Sequence, residues 1–255
     1  MRKGDRIGDG SAGKRAVTEG VATVFISGKD EKLALTDERI NERSAVVGII
    51  GLGYVGLPLL MSFSDVGFRV IGLDSDREKV DLLNAGRSYI KHVPHSAISG
   101  VFGTSDGAEA TTDFTRVEVC DAVLIAVPTP LTRHREPDLQ YIQSTAASIG
   151  PSLQKGQLVV LESTTYPGTT EEVMVPILEQ YSGLQAGTDF HVAYSPERED
   201  PGNEQYRTSN IPKVVGGLDE NSLHVAQALY EAIVPQTVPV SSCRTAEGTK
   251  LMENI

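Results

Sequence analysis

Short apolar runs recur along the chain at Ala45 to Ile50, Phe68 to Leu73, Ala122 to Val127, Gln157 to Leu161, Phe190 to Tyr194, Pro212 to Val215 and Thr237 to Val240. Each is too short for a buried helix and most are rich in β-branched residues, so the pattern predicts strands. The first, Val46-Val47-Gly48-Ile49-Ile50, has no polar interruption, as a strand covered on both faces must. Between the runs lie segments of helical length, among them Leu57 to Phe63, Asp138 to Ile149 and Asp219 to Ile233. Strands and helices alternating in this way build parallel β-α-β units with right-handed crossovers. The expected fold class is α/β, with a doubly wound and mostly parallel sheet. Thr36 to Arg43 predicts a short helix before the first strand, and Ala246 to Ile255 a helix in spite of Gly248. Residues 1 to 30, rich in Gly, Lys, Arg and Asp without a period, are expected to form a mobile extension.

The first strand runs into Gly51-Leu52-Gly53-Tyr54-Val55-Gly56. A glycine triad alone serves ordinary tight turns as readily as a phosphate site. Here a strand precedes it, a helix follows, and Asp74 closes the next apolar run 18 residues after Gly56. Backbone amides at the start of that helix would receive a pyrophosphate, and the Asp74 carboxylate would accept the ribose hydroxyls. The expected cofactor is NAD, with Gly51, Gly53, Tyr54, Val55 and Gly56 around the phosphates. A carboxylate at position 74 would repel the 2′-phosphate of NADP, although Arg77 and Lys79 would blunt that preference; Lys79 is also assigned to the cofactor.

Three loops after predicted strands carry unusual chemistry: Pro128-Thr129-Pro130, Glu162 to Gly168, and Ser195 to Asn203. Each alone reads as a turn, since Pro, Gly, Ser and Thr dominate turns for backbone reasons. Ligands of such sheets collect where strands end, so the three together point to one site. Pro128, Thr129, Glu162, Ser163 and Thr164 are assigned to cofactor binding on that basis. Lys250 and Asn254 share a helix face, which reads either as a solvated face or as a pair of donors for an oxyanion.

Charge and cysteine content narrow the alternatives. The 255 residues are 40% hydrophobic with a net charge of -11, which provides for a sizeable core and argues against non-specific nucleic-acid binding. Ser44 to Ser64 is uncharged and long enough to span a bilayer, but four glycines and Pro58 interrupt it, and a strand, a turn and a helix account for them better. No membrane insertion, secretory leader or metal site is expected, and the two cysteines fit a cytoplasmic protein without a disulfide framework. Cys120, just before an apolar run, reads as a small buried thiol, whereas Cys243 lies between two predicted elements; neither has a neighbouring histidine.

Across residues 32 to 255 these motifs resemble the nucleotide-sugar 6-dehydrogenases, the family of UDP-glucose dehydrogenase. The residues that carry the likeness are G-L-G-Y-V-G-L-P from Gly51, V-P-T-P-L from Val127, E-S-T-T-Y-P-G-T-T from Glu162, S-P-E-R-E-D-P-G-N from Ser195 and A-E-G-T-K-L-M-E-N from Ala246. The Ser195 loop is similar to that of the UDP-N-acetylhexosamine branch, where UDP-glucose enzymes carry an N-P-E-F-type loop. The resemblance implies a Rossmann-type NAD-binding domain over residues 31–240 and the start of a central helix over 241–255. It further implies oxidation of a sugar C6 alcohol to a carboxylate with NAD, through an aldehyde and a cysteine-bound thioester. By the same resemblance Thr129 and Glu197 would hold or activate water, Lys250 and Asn254 would stabilise the C6 oxyanion, and the protein would pair as a homodimer. UDP-N-acetylglucosamine is the expected substrate, with its epimers and UDP-glucose as alternatives. Two departures stand out: Gly248 replaces a bulkier residue, and no G-G-x-C-x-P-x-D nucleophile motif is present. The chain thus reads as the cofactor half of such an enzyme, unable to complete the oxidation alone; a catalytically silent NAD-binding module is the rival reading.

Overall fold

The computed structural model describes residues 38–102, 107–133, 136–197 and 212–253. The expected mobile extension, Arg198 to Asn203 and Asn254 lie outside these residues. Eight strands among the described residues form one sheet: β1 Val46–Ile50, β2 Arg69–Leu73, β3 Glu109–Thr111, β4 Ala122–Ile125, β5 Leu158–Leu161, β6 His191–Tyr194, β7 Lys213–Gly217 and β8 Thr237–Val240. Their order is β3-β2-β1-β4-β5-β6-β7-β8, so the chain reverses its direction of growth between β1 and β4. Every neighbouring pair is parallel except β6 and β7, which run antiparallel. An antiparallel neighbour needs no crossover helix.

The uninterrupted apolar strands do what their pattern requires. Val47 and Ile49 of β1 enter one core cluster and Val46 and Ile50 the other, one on each side of the sheet. Helix α1, Gly56–Asp65, buries Leu57, Leu60 and Phe63 in the first cluster, each such side chain contributing about 1.5–3 kcal/mol. The run Ser44 to Ser64 thus divides into β1, a turn and α1, and no helix among the described residues is long and apolar enough to cross a membrane. Pro239 sits in β8 at the sheet edge, where a missing N–H costs no ladder bond.

Several elements escaped the sequence pattern. Helix α2, Arg77–Asn84, is capped by Asp76, whose side chain accepts the Glu78 and Lys79 amides. Helix α3, His95–Phe102, and the short edge strand β3 follow it. Helices α4, Gln140–Ile149, and α6, Glu220–Glu231, match expected segments, whereas α5, Val175–Ser182, entered through a π turn at Thr170–Met174, was not anticipated. The last helix, α7, starts at Cys243 and runs to Glu253, so Cys243 lies in its first turn, fully buried.

Candidate cofactor site

A cleft of about 720 Å³ opens where β1, β2, β4 and β5 end. Gly51, Gly53, Tyr54, Val55, Asp74, Lys79, Pro128, Thr129, Glu162, Ser163, Thr164 and Glu197 all line it, so residues from five separate chain segments are brought together as the motifs require. The glycines differ in what they do there. Gly51 holds φ at +90°, and a Cβ on it would lie 2.7 Å from the Ala126 carbonyl oxygen. A Cβ on Gly56 would come within 1.9 Å of the Gly51 carbonyl oxygen, so that position packs helix against strand. Gly53 has nothing within 4 Å of its Cβ position and faces open space. Beyond it, α1 has no side-chain cap and no acidic residue in its first turn, which leaves the amides of the helix start for an anion. These features fit a pyrophosphate.

Asp74 is held firmly at one end of the cleft. Its Oδ2 accepts the Leu52 amide at 2.8 Å and pairs with the Lys79 ammonium at 3.4 Å, while Oδ1 accepts the Asp76 amide at 2.9 Å. Oδ1 keeps the capacity for a further donor, as a ribose hydroxyl would be. Lys79 therefore acts on the carboxylate that was expected to face the sugar.

At the other end the loops are fastened to each other. The Thr129 hydroxyl donates to the Thr164 carbonyl at 2.6 Å, and the Ser163 hydroxyl to the Val127 carbonyl at 2.6 Å. Both oxygens remain acceptors. Glu162 differs from its expected role: it reaches the cleft wall, but its carboxylate is buried and taken up by Lys213 at 2.8 Å and by the Tyr230 hydroxyl. The same ammonium lies 3.6 Å from the Glu197 carboxylate. Burial alone would pull the Lys213 pKa down, but Glu162 and Glu197 outweigh it and hold the value above the usual lysine range. Burial pushes Glu162 above the ordinary carboxylate range against the pull of Lys213, and pushes the Tyr230 hydroxyl up as well, keeping it a donor.

Lys213 and Tyr230 were missed in the sequence. A lysine opening an apolar strand reads as a solvated strand end; the one available signal was Glu162, a carboxylate ending an apolar run with no local partner. Helix α7 supplies two more contacts. Lys250 donates to the Glu197 backbone carbonyl at 2.6 Å, joining two residues to which the resemblance gave separate roles, Glu197 toward water and Lys250 toward the oxyanion. Glu247, unnoticed in the sequence, is buried and accepts the Gly168 amide, the Thr170 amide at 2.8 Å and the Thr170 hydroxyl at 2.6 Å. It caps from outside a helix start that has no cap of its own. Asn254, the expected partner of Lys250, lies outside the described residues.

Neither thiol faces the cleft. Cys120 is buried against Gly48 and burial pushes its pKa up to about 12; Cys243 is buried with its thiol on the Gly216 carbonyl, and burial pushes it higher still. A nucleophile needs the thiolate, which both sites disfavour.

Comparison with known proteins agrees with this geometry. Residues 45–234 match the model of the UDP-glucose/GDP-mannose dehydrogenase family, NAD binding domain. The chain is 37% identical over 209 residues to UDP-N-acetyl-D-glucosamine 6-dehydrogenase of Pseudomonas aeruginosa, covering 82% of this chain and 48% of that protein. It is 38% identical over 217 residues to UDP-N-acetyl-D-mannosamine dehydrogenase of Escherichia coli K12, covering 82% and 51%. Among solved structures, NDP-N-acetyl-D-galactosaminuronic acid dehydrogenase from Methanosarcina mazei Go1 superposes with a TM-score of 0.76 at 34% identity, over 86% of this chain and 49% of that one. The chain spans about half the length of the curated relatives it matches. With its glycine turn, its acidic residue at the end of β2 and its matched domain, the chain belongs to the UDP-glucose/GDP-mannose dehydrogenase family and carries that family's NAD-binding domain.

Proposed function

We propose that the protein takes part in the NAD-dependent oxidation of the C6 alcohol of a UDP-N-acetylhexosamine, UDP-N-acetylglucosamine first, to the uronate, as a step toward cell-surface polysaccharide precursors. The observation that carries this reading is that Thr129 and Glu197 line the cleft away from Asp74 while Lys250 donates to the Glu197 backbone carbonyl. With the adenosine ribose at Asp74 and the pyrophosphate on the glycine turn, the nicotinamide falls toward the β4 and β5 loops. Bound NAD supplies a hydride acceptor there. The Thr129 hydroxyl, donating to Thr164, keeps lone pairs for a water proton. Glu197 offers a carboxylate that can take a proton from that water. Lys250 spends one N–H on the Glu197 carbonyl and has others for an alkoxide, with Asn254 as its proposed companion. Both thiols of this chain are buried, so a thioester step would need a nucleophile other than Cys120 or Cys243. We place the protein in the cytoplasm and read it as a homodimer; exposed Leu251 and Met252 on α7 support a covered helix face.

Steady-state NADH formation by the complete protein tests the reading. UDP-N-acetylglucosamine or its galacto epimer should show a much higher specificity constant than UDP-glucose, because buried polar groups discriminate against ligands that lack their partner. Lys250→Ala should lower turnover about 100-fold or more. UDP-glucose as the equal or better substrate would overturn the subfamily assignment, and no NADH from any UDP-sugar would favour the silent module.

A further inference from the structure

The segment between α2 and α3 meets the phosphate-binding turn twice. The Tyr89 hydroxyl donates to the Leu52 carbonyl, and the His92 ring stacks on Tyr54 at 5.8 Å between centroids with 28° between planes. Leu52 is buried, and its amide is the one that Asp74 accepts at 2.8 Å, so this residue is gripped at both its N–H and its C=O. The Leu52 carbonyl and the Gly53 amide belong to one planar trans peptide. Holding the oxygen therefore fixes the direction of the N–H, at the glycine whose Cβ position faces open space. The clasp is itself braced: the Ser88 amide donates to His95 Nδ1 at 2.9 Å, the Ile90 amide to the Ser88 hydroxyl at 3.1 Å, and Ile90 is buried. Tyr89 and Ile90 also line the cleft at its Asp74 end.

We infer that Tyr89 is a positioning residue for the ADP-ribose half of the dinucleotide: its hydroxyl locks the glycine turn in the shape that receives the pyrophosphate, and its ring closes the adenosine end of the cleft. Without that hydroxyl the Leu52 carbonyl loses its half-buried partner, and the turn loses the contact that orients the Gly53 peptide. Burial, with Asp74 and Asp76 adding to it, raises the Tyr89 pKa beyond any physiological range, so the group stays a donor. The inference rests on the assignment of the cleft to NAD and goes beyond it in naming what shapes the turn.

Calorimetry on the 255-residue chain with NAD and with ADP-ribose decides the matter. Tyr89→Phe keeps the ring and removes the donor; it should weaken both ligands by the same factor, about tenfold, while the melting temperature without ligand stays within a few degrees of wild type. His92→Ala, which removes only the stack on Tyr54, should weaken both about threefold. Tyr89→Phe binding ADP-ribose within twofold of wild type would overturn the inference. So would a loss confined to NAD, or a loss explained by unfolding of the variant. A wild-type chain that binds neither ligand would remove the cofactor assignment itself, an outcome separate from a normal wild type with an unaffected variant.

Discussion

At the Asp74 end of the cleft, the ligand-facing groups are backbone amides and one carboxylate, held by contacts close in the chain; Leu52 and Asp74 are 22 residues apart. At the Glu197 end they are side chains held by other buried side chains from distant segments, with Lys213 lying 51 residues from Glu162 and Tyr230 68 residues from it. The first arrangement suits a ligand that does not change, an ADP-ribose that must be gripped in one geometry. The second concentrates ionisable groups under a dry wall, where charges interact strongly and a proton can be placed. On the proposed reading, binding is built from backbone and chemistry from buried charge, and the two kinds of construction should fail differently.

The largest effect is expected at Lys213. Its ammonium lies between the Glu162 and Glu197 carboxylates, its side chain is 5% exposed, and Glu162 is fully buried beneath it. Removing one partner of a buried pair leaves an uncompensated charge and costs about 3–5 kcal/mol. Lys213→Met should lose stability on that scale in urea denaturation, and the double variant Lys213→Met, Glu162→Gln should recover most of it. If the single variant unfolds at the wild-type midpoint, the Glu197 end is not held by buried charge and the contrast collapses.

His191 sharpens the same contrast on one strand. It opens β6, whose other end leads to Ser195 and Glu197, but both of its ring nitrogens are buried without a partner among the described residues. Burial lowers its pKa to about 4, with Asp219 opposing. The folded value lies below the unfolded one, so the unfolded state binds the extra proton. Stability is full above about pH 6.5 and falls as pH drops toward 4, by about 3 kcal/mol at most. His191→Phe should flatten the stability profile between pH 6.5 and 5, where most carboxylates are still ionised. An unchanged slope there would mean that the ring finds a partner and stays charged.

The same distances explain what the sequence could reveal. β1, the glycine turn, β2 and Asp74 follow one another, and period, glycine spacing and a terminal acid are local signals. Lys213 beneath Glu162, Glu247 capping Thr170 from 77 residues away and Lys250 on the Glu197 carbonyl are pairings made only by folding, and no periodicity records them. The antiparallel entry of β7 is invisible for the same reason, since an apolar run has no direction. Thr129 and Ser163 were found because three such loops follow strands of one sheet, whereas their fastening of one loop to the other is made only by folding. Glu162 was noticed in the same way and turned out to face inward, toward a cation that nothing nearby in the chain announces.

The smallest effect belongs to the legible end and concerns choice of cofactor. Asp74 holds the Leu52 amide with one oxygen and keeps room on the other, so it shapes the turn and, by the proposed reading, would also meet the ribose. A 2′-phosphate placed there would face a carboxylate, and Lys79, paired with Asp74 at 3.4 Å, would offset only part of the repulsion. Wild-type chain should therefore bind NAD about tenfold or more tightly than NADP by calorimetry, a difference of about 1.4 kcal/mol or more. Asp74→Asn keeps an acceptor for the Leu52 amide while removing the charge, so it should raise NADP affinity with little loss of folded stability. Asp74→Ala removes both and should weaken NAD as well as narrow the gap. Equal affinities for the two cofactors in the wild-type chain would mean that Lys79 governs this end, and the Asp74 region would then be read, like its counterpart across the cleft, by its ion pair rather than by its backbone.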